Sequence, residues 1–133
     1  MSEGQNQVLL IAAASESRLG LAAALGGFGV RSIVSSTMAQ AEAVLASEAI
    51  RLIICADTLP DGSFRDILRF VRGSDLPIPV VVSSFRGDVD QYLEAMELGA
   101  FDFIASPIRA PELEAILHAA LRPQTTFGMS VST

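Results

Sequence analysis

Three aliphatic runs constrain this chain more than any other feature: Val8-Leu9-Leu10-Ile11, Leu52-Ile53-Ile54-Cys55 and Val80-Val81-Val82. A strand that alternates polar and apolar residues turns one face to water. A strand apolar on both faces must be covered on both, which requires helices above and below a parallel sheet. Helical spacing fills the intervals between the runs. The strand candidates are Gln7–Ala12, Val30–Ser35, Arg51–Ala56, Pro79–Ser84 and Phe101–Ala105. After the first, Arg18, Leu21, Leu25 and Phe28 share a stripe, and Gly26-Gly27 closes the helix. Thr37 is the expected N-cap of a second helix over Met38–Ala46. Phe64, Ile67, Leu68 and Val71 mark the third helix. Val89, Leu93 and Met96 mark the fourth, behind Asp88 and ending at Gly99. Leu113, Ile116, Leu117, Ala120 and Leu121 form the inward stripe of the fifth, begun near Pro111. Regular β–α alternation predicts a doubly wound α/β fold with five parallel strands.

The chain has 133 residues, enough for one domain with a real core. Residues 1–123 read as that domain, and 124–133, polar and aperiodic, as a flexible C-terminal tail. No apolar run approaches the ~20 residues of a membrane span. Met1-Ser2-Glu3-Gly4 lacks the order of a signal peptide, so a cytoplasmic location is expected. The single cysteine, Cys55, excludes an internal disulfide and a multi-cysteine metal site, and its strand setting suggests a buried, inert thiol. The net charge of −6 argues against this domain gripping nucleic acid. All nine basic residues are arginines, so Schiff-base chemistry and a phosphate-binding lysine are absent.

In an open parallel sheet, ligands bind beyond the carboxyl ends of the strands. Here those ends carry Ala12, Ala13, Ala56 and Ser106. Ser84 and Ser106 could both face the crevice, but no base is placed to activate either. Gly26-Gly27-Phe28-Gly29 follows a helix and precedes a strand, the reverse of the order a phosphate loop needs. His118, the one histidine, falls off the apolar stripe of its helix and is expected at the surface. No catalytic residue, metal site or cofactor is expected, and the protein is read as a non-enzyme.

Leu59-Pro60-Asp61-Gly62, then Gly87-Asp88-Val89-Asp90, then Gly99-Ala100-Phe101-Asp102-Phe103 leading to Ser106-Pro107 resemble the receiver domain of bacterial response regulators (CheY-like). The resemblance covers about Val8 to Arg122. It implies a flavodoxin-like sheet of order 2-1-3-4-5, with helices one and five on one face and two to four on the other. It also implies a pocket, which here is degenerate. The acidic pair that holds magnesium falls on Ala12 and Ala13, and the phosphoacceptor aspartate on Ala56. The lysine before the strand-five proline is Ser106. The hydroxyl ending strand four is kept as Ser84, and the switch aromatic corresponds to Phe103. Asp57, one residue past Ala56, is an alternative phosphoacceptor, although strand alternation should turn it away from the face of Ala56.

Arg65, Arg69 and Arg72 line the outward face of helix three, and Asp90, Glu94 and Glu97 that of helix four. With Tyr92, the acidic row is a candidate partner surface. Leu19, Ala22 and Ala23 make the outer face of helix one unusually apolar. The resulting expectation is a pseudo-receiver of a two-component phosphorelay that acts without phosphorylation as a protein-interaction module. Its expected partners are proteins of bacterial signalling, such as a kinase or an output domain. A homodimer through helix four, strand five and helix five is a further expectation; nucleic acid and membrane are not expected partners. The alternatives are a working receiver phosphorylated on Asp57 and a small-molecule-binding flavodoxin-like domain.

Overall fold

Alternation along the inner strands divides the core in two. In the computed structural model, which describes residues 7–121, odd and even positions of the same strand feed opposite clusters. The elements are β1 (Gln7–Ile11), α1 (Glu16–Gly27), β2 (Arg31–Ser35), α2 (Met38–Ser47), β3 (Leu52–Ala56), α3 (Phe64–Gly73), β4 (Val80–Ser84), α4 (Val89–Glu97), β5 (Asp102–Ala105) and α5 (Ala110–Ala120). All five strands pair in parallel, in the order β2-β1-β3-β4-β5. Leu9, Ile11, Ile53, Cys55, Val80 and Val82 meet Ala41 of α2, Phe64, Ile67, Leu68 and Val71 of α3, and Ala95 of α4. Val8, Leu10, Leu52, Ile54 and Val81 meet Leu25 of α1 and Leu113, Ile116 and Leu117 of α5. The doubly wound sheet expected from the sequence is the observed fold. Strands β2 to β5 each begin one residue later than expected, and β1 ends at Ile11 rather than Ala12. The stretch assigned to a C-terminal tail, 124–133, lies outside the described residues.

Caps fix the helix starts. Ser15, Thr37, Ser63 and Asp88 accept from the backbone N–H of Arg18, Gln40, Arg65 and Gln91, each occupying a donor the helix leaves unpaired. Helix α1 ends at Gly27, so Gly26-Gly27 closes it as the sequence suggested. Both lie within it, Phe28 is the C-cap, and the chain turns at Gly29 with φ +75°, a backbone region that favours glycine. Phe28 is therefore exposed at the helix end rather than part of the core. Between β3 and α3, Thr58–Leu59 and Gly62–Ser63 form a two-residue antiparallel pair that the sequence pattern did not suggest. A Cβ at Gly62 would lie 2.7 Å from Asp66 Oδ2, the carboxylate that accepts from Ser63 N–H in the capping box of α3.

The largest departure from expectation is the orientation of α4. Val89 and Leu93 are 69% and 57% exposed, and the fully buried residue is Ala95. Gln91, Ala95 and Leu98 repeat the spacing of Val89, Leu93 and Met96 two positions later, about 200° around the helix. Periodicity alone cannot choose between the two stripes. Side-chain bonds on the polar side do: Gln91 meets Ser84 beneath the helix and Glu94 meets Arg65 of α3, while small Ala95 lets the helix lie close to the sheet.

Ile67 is fully buried, so Ile67→Ala should cost about 2–5 kcal/mol in urea unfolding of dilute protein. Leu93→Gln should shift stability by under about 0.5 kcal/mol; a large loss there would place Leu93 in the core after all.

Candidate functional site

A partly enclosed cavity of about 640 Å³ opens at the carboxyl ends of the strands, between α1 and the β5–α5 turn. Ala12, Ala13, Ala56 and Ser106 line it, as the sequence suggested, with Leu10, Ile54 and Ile108 among its apolar walls. Its size follows from small side chains: alanines at the strand ends, and Gly20 and Ala24 on α1. Ser84 is not among the lining residues. In the β3–β4 register Ala56 stands opposite Ser83, so Ser83 shares its face and Ser84 points to the other. Ser83 lines the cavity and its hydroxyl bonds that of Ser106. Sequence reasoning placed Ser84 at the crevice and did not consider Ser83; the register corrects it.

The residue that sequence reasoning missed is Arg18. It shares the inward stripe of α1, an unusual place for a guanidinium, and that misfit was the available signal. Its Nη1 donates to Ala12 O at 2.8 Å and Ser36 Oγ at 2.9 Å. The group is half-buried and lies at the cavity wall. It ties the residue after β1 to the start of the β2–α2 turn, placing a protein cation directly on the first carbonyl beyond β1.

Ser84 is fully buried on the opposite face. Its Oγ lies 3.0 Å from Asp57 Oδ2 and 2.8 Å from Gln91 Oε1, and accepts from Arg86 and Gly87 N–H at 3.1 and 3.2 Å. One hydroxyl proton serves one of the two acceptors at a time. Asp57 contributes to the rim of the cavity, but this oxygen is turned to Ser84 and away from the Ala56 face. Phe103 is half-buried and meets Tyr92 edge-to-face, with centroids 6.0 Å apart. Asp90 and Glu97 are exposed on α4. Glu94 instead turns to α3, its Oε2 2.6 Å from Arg65 Nε. That bond lowers the Glu94 pKa and raises that of Arg65. Cys55 is fully buried, and burial, reinforced by the Asp57 charge, pushes its thiol pKa far up.

Asp61 organises the loop after β3. Its Oδ1 accepts from Met38 N at 2.7 Å and Oδ2 from Ala39 N at 3.1 Å, capping α2 from a distant part of the chain. The Met38 bond, then that of Ala39, lowers its pKa. The sequence marked this residue only as part of the Leu59-Pro60-Asp61-Gly62 motif.

The residues at the strand ends do not fit a magnesium ion. That ion wants a near-octahedral set of hard oxygens including carboxylates, whereas Ala12, Ala13 and Ala56 present methyl groups. Among the described residues no three His, Cys, Asp or Glu side chains are grouped as metal ligands. A divalent ion at the end of β1 would also stand against the Arg18 guanidinium.

The sheet order and the crevice location define the flavodoxin-like, doubly wound class. No family model matches the chain. It is 32% identical over 115 residues to the KDP operon transcriptional regulatory protein KdpE of Escherichia coli, covering 86% of this chain and 51% of that protein. Against the BeF3-activated N-terminal receiver domain of Klebsiella pneumoniae RstA it superposes with TM-score 0.82 at 25% identity, covering 89% of this chain and all of that one. The NtrC4 receiver domain dimer, solved in a beryllofluoride-activated form, gives TM-score 0.80 at 22% identity over 86% of this chain and 94% of that one. The chain spans about half the length, or less, of the curated relatives it matches. In sequence and in fold it is similar to the receiver domains of response regulators. No helix among the described residues is long and apolar enough to cross a membrane.

Because the folded-state pKa of Asp61 is lowered, its contribution is present above the unfolded carboxylate value and is lost as pH falls through the folded one. Thermal melts of wild type and Asp61→Asn should differ by a constant amount above about pH 5, with the gap closing below about pH 4. A gap that ignores pH would show that the carboxylate charge contributes nothing.

Proposed function

We propose that this receiver domain signals without being phosphorylated, as a cytoplasmic protein-interaction module with no catalytic activity of its own. The observation that carries the reading is the Arg18 guanidinium seated on Ala12 O, beside methyl groups where a receiver needs carboxylates. Phosphoryl transfer depends on positioning and on neutralising charge at the transferring group; this crevice offers neither a metal site nor a lysine. Asp57 is a poor substitute acceptor, since its Oδ2 engages Ser84 away from the Ala56 face. The Ser84 hydroxyl, which in the family follows the state of the pocket, is held here by Asp57, Gln91 and two backbone amides. Switching free energy must therefore come from a partner or ligand that binds one state better than another.

The partner surface we favour is the exposed side of α4 and its flanks. Phe85, Val89, Tyr92, Leu93, Met96 and Phe101 are all exposed there, with Asp90 and Glu97 at the margin. A second copy of this domain is the occupant we assign, in keeping with the dimer described for the NtrC4 receiver. A kinase or output domain would use the same face, and transcriptional control by the whole protein follows the naming of KdpE.

Incubation with acetyl phosphate and magnesium should leave the intact mass unchanged, and millimolar magnesium should leave Tm unchanged. A base-labile gain of one phosphoryl group on Asp57 would restore the phosphorylated reading. In sedimentation, wild type should show concentration-dependent dimers and Leu93→Asp should remain monomeric; identical behaviour of the two would remove α4 from the interface.

A further inference from the structure

We propose that the cavity beside α1 binds a small amphipathic organic anion, its carboxylate or comparable acidic group on Arg18 and its apolar body on Leu10, Leu21, Ile54 and Ile108. The proposal deepens the phosphorylation-independent reading by naming what the emptied crevice holds. At about 640 Å³ the cavity falls within the ~300–1,000 Å³ of small-molecule sites, which are mostly apolar with a few placed polar groups. Loss of the carboxylates thus leaves a different kind of site.

The polar groups favour a negative charge. The Arg18 guanidinium carries five N–H donors in a planar fork. Among the described residues its side-chain bonds use only Nη1, and both go to neutral oxygens, Ala12 O and Ser36 Oγ. No carboxylate pairs with it among the described residues. A half-buried cation with neutral partners at an apolar wall suits a planar anion, which a guanidinium can bind through two bonds at once. Ser15, Glu16 and Ser17, the start of the twelve-residue α1, also line the cavity, and a helix N-terminus adds positive potential. Deeper in, the Ser83–Ser106 hydroxyl pair supplies a polar spot on the floor. Two carboxylates share the lining: Asp57, whose Oδ2 is turned to Ser84, and Glu16, exposed in the first turn of α1. Neither pairs with Arg18, so its charge is left for a ligand.

Decanoate and decanol, equal in chain length and different in charge, test this by NMR titration of the full chain. Decanoate should bind saturably and shift amides of Ala12, Ala13, Ala56 and Ser106. It should bind wild type roughly tenfold or more tightly than decanol does, as a charge-assisted bond implies. Arg18→Gln should erase that preference, Arg18→Lys should keep part of it, and Ala56→Leu should block both probes. No saturable binding, equal affinity of the two probes in wild type, or shifts confined to α4 would overturn the proposal. Should Ala56→Leu fail to fold, the wild-type comparison of the two probes still decides. Inorganic phosphate binding as well as decanoate would also overturn it, because the apolar body would then contribute nothing. A phosphodonor result on Asp57 bears on the parent reading and is scored separately by mass.

Discussion

Burial of β1 and β3 on both faces is the constraint from which the rest of the structure follows. Strands covered above and below can carry no polar chemistry along their length, so every functional group must lie at their ends or on the loops beyond. At those ends this chain places methyl groups and hydroxyls. The crevice common to doubly wound sheets is therefore present, with the Arg18 guanidinium at its wall. A carboxylate cluster raises the folded-state energy through mutual repulsion; a single arginine bonded to a carbonyl and a hydroxyl does not.

The core was legible because its signal is redundant. Inner strands carry runs of consecutive aliphatic residues, and α3 carries Phe64, Ile67, Leu68 and Val71 against a strongly polar opposite face, so only one orientation buries them. Helix α4 lacks that contrast. Two stripes of equal spacing compete, and the choice rests on Gln91 reaching Ser84 and Glu94 reaching Arg65, contacts between residues 7 and 29 positions apart. Long-range polar pairs of this kind leave no periodic trace. The same holds for Asp61 capping α2 across 23 positions.

The site divides similarly. Ala12, Ala13, Ala56 and Ser106 were readable from the positions where strands end. Ser83 in place of Ser84 required the β3–β4 register, since one step along a strand moves a side chain to the opposite face. Arg18 could be seen on an apolar stripe, but only the structure shows what its head group reaches. The two faces of the sheet consequently hold separate polar systems: Arg18 with Ser36 and the Ser83–Ser106 pair on the α1–α5 side, and Asp57, Ser84 and Gln91 on the α3–α4 side. The backbone of β3 and β4 is the barrier between them.

The bridge made by Asp61 has a mechanical meaning. Because one carboxylate holds the first two amides of α2, the segment leaving β3 and the helix at the sheet's edge are coupled as a single lever. Moving the Asp61 loop away from the sheet's edge would break both bonds and leave the leading turn of α2 without that cap.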